Sequence, residues 1–277
     1  MNSLLIRNYL LKYLWLISFL FYCGSTLVYS QQVRDYNLNS NTFKLILEDG
    51  KHLVCNPSRW ETTDWLTFSV VTGGTLLLSS IDNKVKNEAL ETPYKNTVPM
   101  IIGKWMGEPV PTLGIASGFY FYGIASEDNT AKRIGFEVAE SFIYAGTINI
   151  ILKGLIGRFR PYMEKGNYSF SPFKFWDNDN LSFPSGHSTV AFSLSTILAS
   201  HTDNYFLKAF IYAPALLTLV QRIKANQHWT SDVFAGAALG YFIGRFIVNK
   251  HNKQDENNLS YEAGISQEGR IVFYFTF

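Results

Sequence analysis

Apolar residues recur with helical spacing over most of this chain. Phe43, Ile46, Leu47, Gly50, Leu53 and Val54 share the i, i+3, i+4, i+7 positions of one helix face, although Asp49-Gly50 also suits the turn of a short hairpin. Longer apolar segments follow at 65–81, 109–126, 136–156, 188–201, 206–220 and 233–248. Gly236, Gly240 and Gly244 repeat every fourth residue and give the last segment a smooth stripe on which a neighbouring helix can approach closely. Beyond Lys250 the period changes to two. Leu259, Tyr261, Ala263 and Ile265, then Ile271, Phe273, Phe275 and Phe277, alternate around Gln267-Glu268-Gly269, which predicts a hairpin. The fold expected is all-α, a helical bundle with a short C-terminal β-hairpin.

The N-terminus reads as an export signal. Arg7 and Lys12 precede an apolar run from Tyr13 to Leu20, and Val28-Tyr29-Ser30 offers the small residues a signal peptidase tolerates. The expected organisation is a signal peptide over 1–30, an N-terminal helical extension over 31–60, a main domain over 61–250 and a tail with the hairpin over 251–277. An uncleaved anchor helix is the alternative at the N-terminus, and both readings send the chain to the cell envelope. Cleavage before Gln31 removes Cys23 and leaves Cys55 without an intramolecular partner.

Composition narrows the choice of partners. The 24 basic and 22 acidic residues leave a net charge of +2, and the basic ones form no long run, so nucleic acid is not an expected partner. Hydrophobic residues make up 47% and aromatic residues 16%, rich for a soluble protein, whereas a mean hydropathy of +0.01 is low for a bundle of spanning helices. Most central segments are free of charge for less than the roughly 20 residues a membrane span needs. The sequence therefore favours a periplasmic bundle in contact with a membrane surface, with a polytopic inner-membrane protein as the alternative.

Three blocks carry candidate chemistry. In the first, Lys153 and Arg160 stand seven apart, ahead of Pro161. On a continuous helix that spacing returns to within about 20° of one face, about 10 Å along the axis, so both cations can converge on one anion. In the second, Pro184-Ser185-Gly186-His187 precedes an apolar segment, where the free N–H groups of a helix start favour an anion and small residues let it approach. Phe183 stands where a serine-hydrolase elbow requires glycine. In the third, Arg222 is followed by His228 and Asp232. The i, i+4 spacing of His228 and Asp232 lets the carboxylate accept one imidazole N–H and leaves the other nitrogen free as a nucleophile. His52, His201 and His251 lack such company and read as ordinary packed or surface residues.

In this order the blocks resemble the type 2 phosphatidic acid phosphatase (PAP2) superfamily, which also includes bacterial acid phosphatases and vanadium-dependent haloperoxidases. The match comprises Lys153, Arg160, Pro161, Pro184 to His187, Arg222, His228 and Asp232, with one departure at Gln221, where the family usually has Ser. The resemblance implies a helical bundle that gathers these helix ends, with phosphate held by Lys153, Arg160, Arg222 and the backbone near Ser185 and Gly186. It implies His228 as the nucleophile, His187 as the acid and then the base, and Asp232 as the group that orients His228. Cations replace the metal used by kinases, so no metal and no cofactor is called for. Tyr162, Tyr168, Phe170, Phe173, Phe175 and Trp176 lie between the first two blocks, as an aromatic lip for a lipid tail or as simple loop packing. The expected substrate is a lipid phosphate or prenyl diphosphate. A periplasmic acid phosphatase acting on soluble monoesters, a haloperoxidase and a non-catalytic envelope scaffold are the alternatives.

Overall fold

The computed structural model describes Tyr36 and residues 40–257, together with the backbone of Ser260–Ile265 and Ile271–Thr276. The expected signal peptide lies outside the described residues. Eight α-helices are described: α1 (Ser40–Cys55), α2 (Thr62–Glu91), α3 (Val98–Met106), α4 (Pro109–Ala125), α5 (Asn129–Ile156), α6 (Gly186–Ser200), α7 (Tyr205–Lys224) and α8 (Thr230–Asn257). The all-α bundle expected from the apolar period is observed. The hairpin falls where the turn 266–270 and all side chains lie outside the described residues; only the backbone of Ser260–Ile265 is placed antiparallel to Ile271–Thr276.

Polar residues set the helix ends that the apolar period did not locate. A reciprocal capping box between Glu61 and Asp64 starts α2, and the Asp128 carboxylate accepts from Thr130 N and Ala131 N to start α5 well before the apolar run at 136. Helix α2 continues past Ile81 through a polar stretch to Glu91, and so carries Asp82 into the interior. Helix α3 was not expected, because nine residues with a proline in the first turn are too short to show a period. The last helix runs through Lys250 to Asn257, across the boundary expected at 250.

Helix α6 is the axis of the bundle, buried on all sides, with several of its hydroxyls turned back onto the helix: Thr196 Oγ1 donates to Phe192 O at 2.7 Å and Ser193 Oγ to Val190 O at 3.0 Å, while Ser195 Oγ donates across to Ile211 O of α7 at 3.0 Å. The glycine stripe of α8 meets it. A Cβ at Gly240 would lie 2.2 Å from Thr189 O, and one at Gly236 would lie 2.4 Å from Ser185 O. The close approach expected of that stripe is thus found, and it sets α8 against the start of α6.

Helices α5 (28 residues), α7 (20 residues) and α8 over Thr230–Asp255 (26 residues) are long and apolar enough to cross a membrane. Counting charge-free residues understated them, because several charges inside these helices are buried in the bundle: Arg133 and Glu137 pair at 2.7 Å, both buried. Leu66, Val70, Leu77, Val110, Phe121, Ile150, Phe206 and Leu216 are instead exposed on the outside, as on a membrane-associated protein.

Candidate active site

The first block does not form one helix. Helix α5 ends at Ile156, and Gly157 takes the left-handed conformation (φ 62°), its N–H bonded to Lys153 O at 2.8 Å. A side chain there would also strike Ser171 O, 2.0 Å from the Cβ position. The face argument for Lys153 and Arg160 is therefore corrected. Lys153 lies on the last helical turn and Arg160 on the loop beyond it, and it is the loop that turns Arg160 back.

Lys153 Nζ donates to Leu181 O at 2.5 Å, and its stem lies beside Gly186, where a Cβ would meet Lys153 Cε at 3.7 Å. Arg160 is anchored by Asn178, through the backbone O and Oδ1 at 2.9 Å each, and by Gln227 Oε1 at 2.9 Å. Arg222, at the end of α7, donates from Nη1 to His187 Nε2 at 3.3 Å. Its Nε is held by Gln221 Oε1 at 2.6 Å, while Gln221 Nε2 donates to Tyr94 Oη at 3.1 Å. The departure from the family pattern thus fixes the guanidinium rather than leaving it loose.

Ser185 is the N-cap of α6. Its Oγ accepts from Ser188 Oγ at 2.9 Å, and its own N–H donates to Asp232 O at 3.0 Å. The cap role takes the Ser185 hydroxyl, so what Ser185-Gly186-His187 offers an anion is the start of the helix and the absence of a side chain at Gly186. His187 packs beneath Gly107, where a Cβ would come within 2.5 Å of His187 Cβ. Its Nε2 also lies 3.3 Å from Glu108 Oε1. Burial and the Arg222 charge hold the His187 imidazole down at about 4, against the opposing pull of Glu108.

His228 is buried, and its Nδ1 lies 2.8 Å from Ser182 O. A carbonyl only accepts, so Nδ1 carries the proton and Nε2 has the lone pair. Burial, reinforced by the Lys153 and Arg160 charges and opposed by Asp232, holds this imidazole down at about 3. Lys153 and Arg160 therefore act on His228 together, despite sitting on different elements.

Asp232 does not accept from the imidazole as the i, i+4 spacing suggested. Its Oδ2 is 3.8 Å from Nδ1, too far for a hydrogen bond, and accepts instead from Ser182 Oγ at 2.5 Å and Trp229 N at 2.9 Å. Oδ1 accepts from Arg158 Nη1 at 2.6 Å. Arg158 Nη2 also reaches Asp82 Oδ2 at 2.8 Å, and Asp82 accepts from Ser231 N and Ser231 Oγ. Asp232 thus holds the Ser182 segment, and the Ser182 carbonyl in turn holds His228.

Sequence reasoning missed Arg158, Asp82, Ser182 and Glu108. Arg158 stood beside Arg160 in the first block, but nothing along the chain links it to Asp82, 76 residues away.

Residues 135–256 match the family model of the PAP2 superfamily. The lipid A 1-phosphatase of Porphyromonas gingivalis is 31% identical over 112 residues, which are 38% of this chain and 25% of that protein. The chain thus spans a quarter of the length of that relative. Among solved structures, LpxE of Aquifex aeolicus aligns over 62% of this chain and 93% of its own, at 21% identity and a TM-score of 0.43. The transmembrane PAP2-type phosphatidylglycerolphosphate phosphatase of Bacillus subtilis aligns over 66% and 95%, at 22% identity and a TM-score of 0.47. All three motif blocks lie within the matched residues, and the chain accordingly carries a PAP2 superfamily region over 135–256, as the resemblance of those blocks implied.

Proposed function

We infer that this chain is a membrane-embedded phosphohydrolase that cleaves a lipid phosphomonoester or diphosphate through a phosphohistidine. The observation that carries the reading is the bond from His228 Nδ1 to Ser182 O, which leaves Nε2 unprotonated in a buried site facing Lys153 and Arg160. Nucleophile and cations meet where phosphate charge must be neutralised.

In the reaction so read, phosphate sits among Lys153, Arg160, Arg222 and the Gly186 end of α6. His228 Nε2 attacks phosphorus and the ester oxygen departs with a proton from His187. Water then attacks the phosphohistidine, giving its proton to His187 and releasing inorganic phosphate with His228 restored. The bound anion restores the proton affinity of His187 that Arg222 depresses, and Glu108 supports the imidazolium. The lipid class rests on two features: the exposed apolar faces of the bundle, and a loop on which Phe173 and Trp176 are 73% and 98% exposed. A similar phosphatase acts on lipid A, by its name.

The test is phosphate release from detergent-dispersed phosphatidic acid, phosphatidylglycerol phosphate, undecaprenyl diphosphate and lipid A, with p-nitrophenyl phosphate as the soluble comparison. Rapid quench in alkaline detergent should trap a phosphoprotein that is stable to base and lost in acid in the native chain, and none in His228→Ala. Undiminished turnover by that variant would end the reading.

A further inference from the structure

At the far end of α8 from Asp232, nineteen residues and about 28 Å along the helix, lies a second cluster of buried ionisable groups. Asp49 of α1, Glu140 of α5 and His251 of α8 each present one atom, all within 4.8 Å of one another, and all three residues are buried. We propose that this cluster binds a zinc-class divalent cation that fastens α1 to the bundle.

Three observations carry it. First, Asp49 Oδ2, Glu140 Oε2 and His251 Nε2 are buried and make no hydrogen bond. Nε2 lies 3.2 Å from Glu140 Oε2 and 3.4 Å from Asp49 Oδ2. Buried polar atoms without a hydrogen bond are costly, and three that converge from separate helices with only one another at ion-pair distance suit a shared partner. Second, the atoms behind them are already engaged. His251 Nδ1 donates to Glu137 Oε1 at 3.1 Å, which turns Nε2 toward the cluster, and the ring is stacked on Phe136. Glu140 Oε1 accepts from Tyr144 Oη at 2.6 Å. A histidine that donates its second nitrogen to a carboxylate is the usual support of a metal ligand. Third, the local charge is unbalanced: Asp49, Glu137, Glu140 and Asp255 outnumber Arg133 and Lys250 by two.

One imidazole and two carboxylates suit zinc or a neighbouring transition ion, whereas magnesium and calcium favour all-oxygen sets. Lys250 Nζ touches Asp49 Oδ1, and its partly exposed side chain can withdraw to solvent when a cation enters. The rival occupant is the proton: His201 Nε2 lies 2.7 Å from Glu137 Oε2, so protonating both His201 and His251 would balance the same charge.

The experiment uses the full chain purified in detergent, and its readouts do not depend on phosphatase activity. Metal content is measured by plasma mass spectrometry after dialysis against zinc chloride and then buffer, and thermal unfolding is followed with zinc or EDTA. About one zinc per chain is expected, with unfolding shifted upward by zinc and reversed by EDTA. His228→Asn should keep the zinc. Asp49→Asn and His251→Gln should lose it, and Glu137→Gln should bind it about 10 to 100-fold more weakly. A native chain that retains no zinc and unfolds identically in zinc and EDTA overturns the proposal in favour of the protonated cluster. Equal zinc in the native chain and in Asp49→Asn/His251→Gln overturns it too, since the ion then sits elsewhere. Should the variants not fold, the zinc and EDTA comparison on the native chain decides.

Discussion

Arg158 Nη1 lies 2.6 Å from Asp232 Oδ1, with both side chains almost wholly buried, and Arg158 Nη2 lies 2.8 Å from Asp82 Oδ2. One guanidinium therefore compensates two carboxylates in the interior, and its Nε and Nη2 are capped by Asn167 O. A buried charge left without its partner costs about 3–5 kcal/mol. Arg158→Met should lower unfolding stability in detergent by at least that much, because two carboxylates lose their cation. Asp82→Asn should cost less, since Arg158 retains Asp232. Equal losses from the two would show that Asp232 does not depend on Arg158 for its compensation.

This relationship also marks where sequence reading stopped. The residues of the three blocks were legible because each sits at a helix end or turn whose signals are local: Ser185 before α6, Pro161 after Arg160, His228 four before Asp232. What was not legible was which atoms meet. Periodicity cannot show that Gly157 breaks α5 before Arg160, or that Ser182 O intervenes between Asp232 and His228. Asp82 and Glu108 follow from tertiary packing alone, and one polar residue after an apolar run looks like any solvated helix end. His251 read as ordinary for the same reason: its partners Asp49, Glu137 and Glu140 lie more than a hundred residues away on two other helices.

The role assigned to His187 makes a prediction about leaving groups. An acid that protonates the departing oxygen matters most when that oxygen is basic, as in a lipid alkoxide, and least when it leaves as a stable phenolate. His187→Ala should slow release from phosphatidic acid by roughly 10²- to 10⁴-fold and affect p-nitrophenyl phosphate much less. Equal losses on both substrates would assign His187 to phosphate binding instead.

Gln221 allows a test of how Arg222 is positioned. Its Oε1 holds Arg222 Nε at 2.6 Å while its Nε2 reaches Tyr94. A hydrogen bond to a charged group contributes about 1.5–3 kcal/mol. Gln221→Leu should therefore raise KM for phosphate substrates about tenfold or more, with a smaller change in kcat. Gln221→Ser, which restores the residue usual in the family, should recover most of that loss through its hydroxyl. An unaltered KM in Gln221→Leu would mean that Arg222 is held well enough by His187 alone.

Substituting Phe173 and Trp176 tests the proposed preference for lipid over soluble substrates. Both project from the loop that carries Arg160, and Phe175 of the same loop lies against Gly154, one residue from Lys153. Burying an aromatic side chain against an acyl chain is worth about 1.5–3 kcal/mol, so Phe173→Ser/Trp176→Ser should raise KM for lipid substrates by about tenfold to hundredfold. Turnover of p-nitrophenyl phosphate should be unchanged. A parallel loss on both substrates would show that the aromatics support the loop rather than the lipid.

The two depressed histidines fix the sign of a stability dependence on pH. His228 is held at about 3 and His187 at about 4 in the folded chain, whereas both return to about 6.5 when unfolded. Between those values the unfolded chain binds more protons than the folded one, so acid draws the equilibrium toward unfolding. Their contribution is fully present above about pH 6.5 and is lost as pH falls toward 4 and then 3. Buried carboxylates contribute to acid unfolding as well, so the quantity to measure is the difference between the native chain and His187→Gln/His228→Asn. Denaturant midpoints in detergent from pH 7 to 4 should fall more steeply for the native chain. Saturating inorganic phosphate, whose charge favours both imidazolium ions, should flatten the native profile more than that of the variant, which keeps Lys153, Arg160 and Arg222 but lacks the two imidazoles. Parallel profiles without phosphate would mean that the two imidazoles stay accessible to protons and solvent in the folded state.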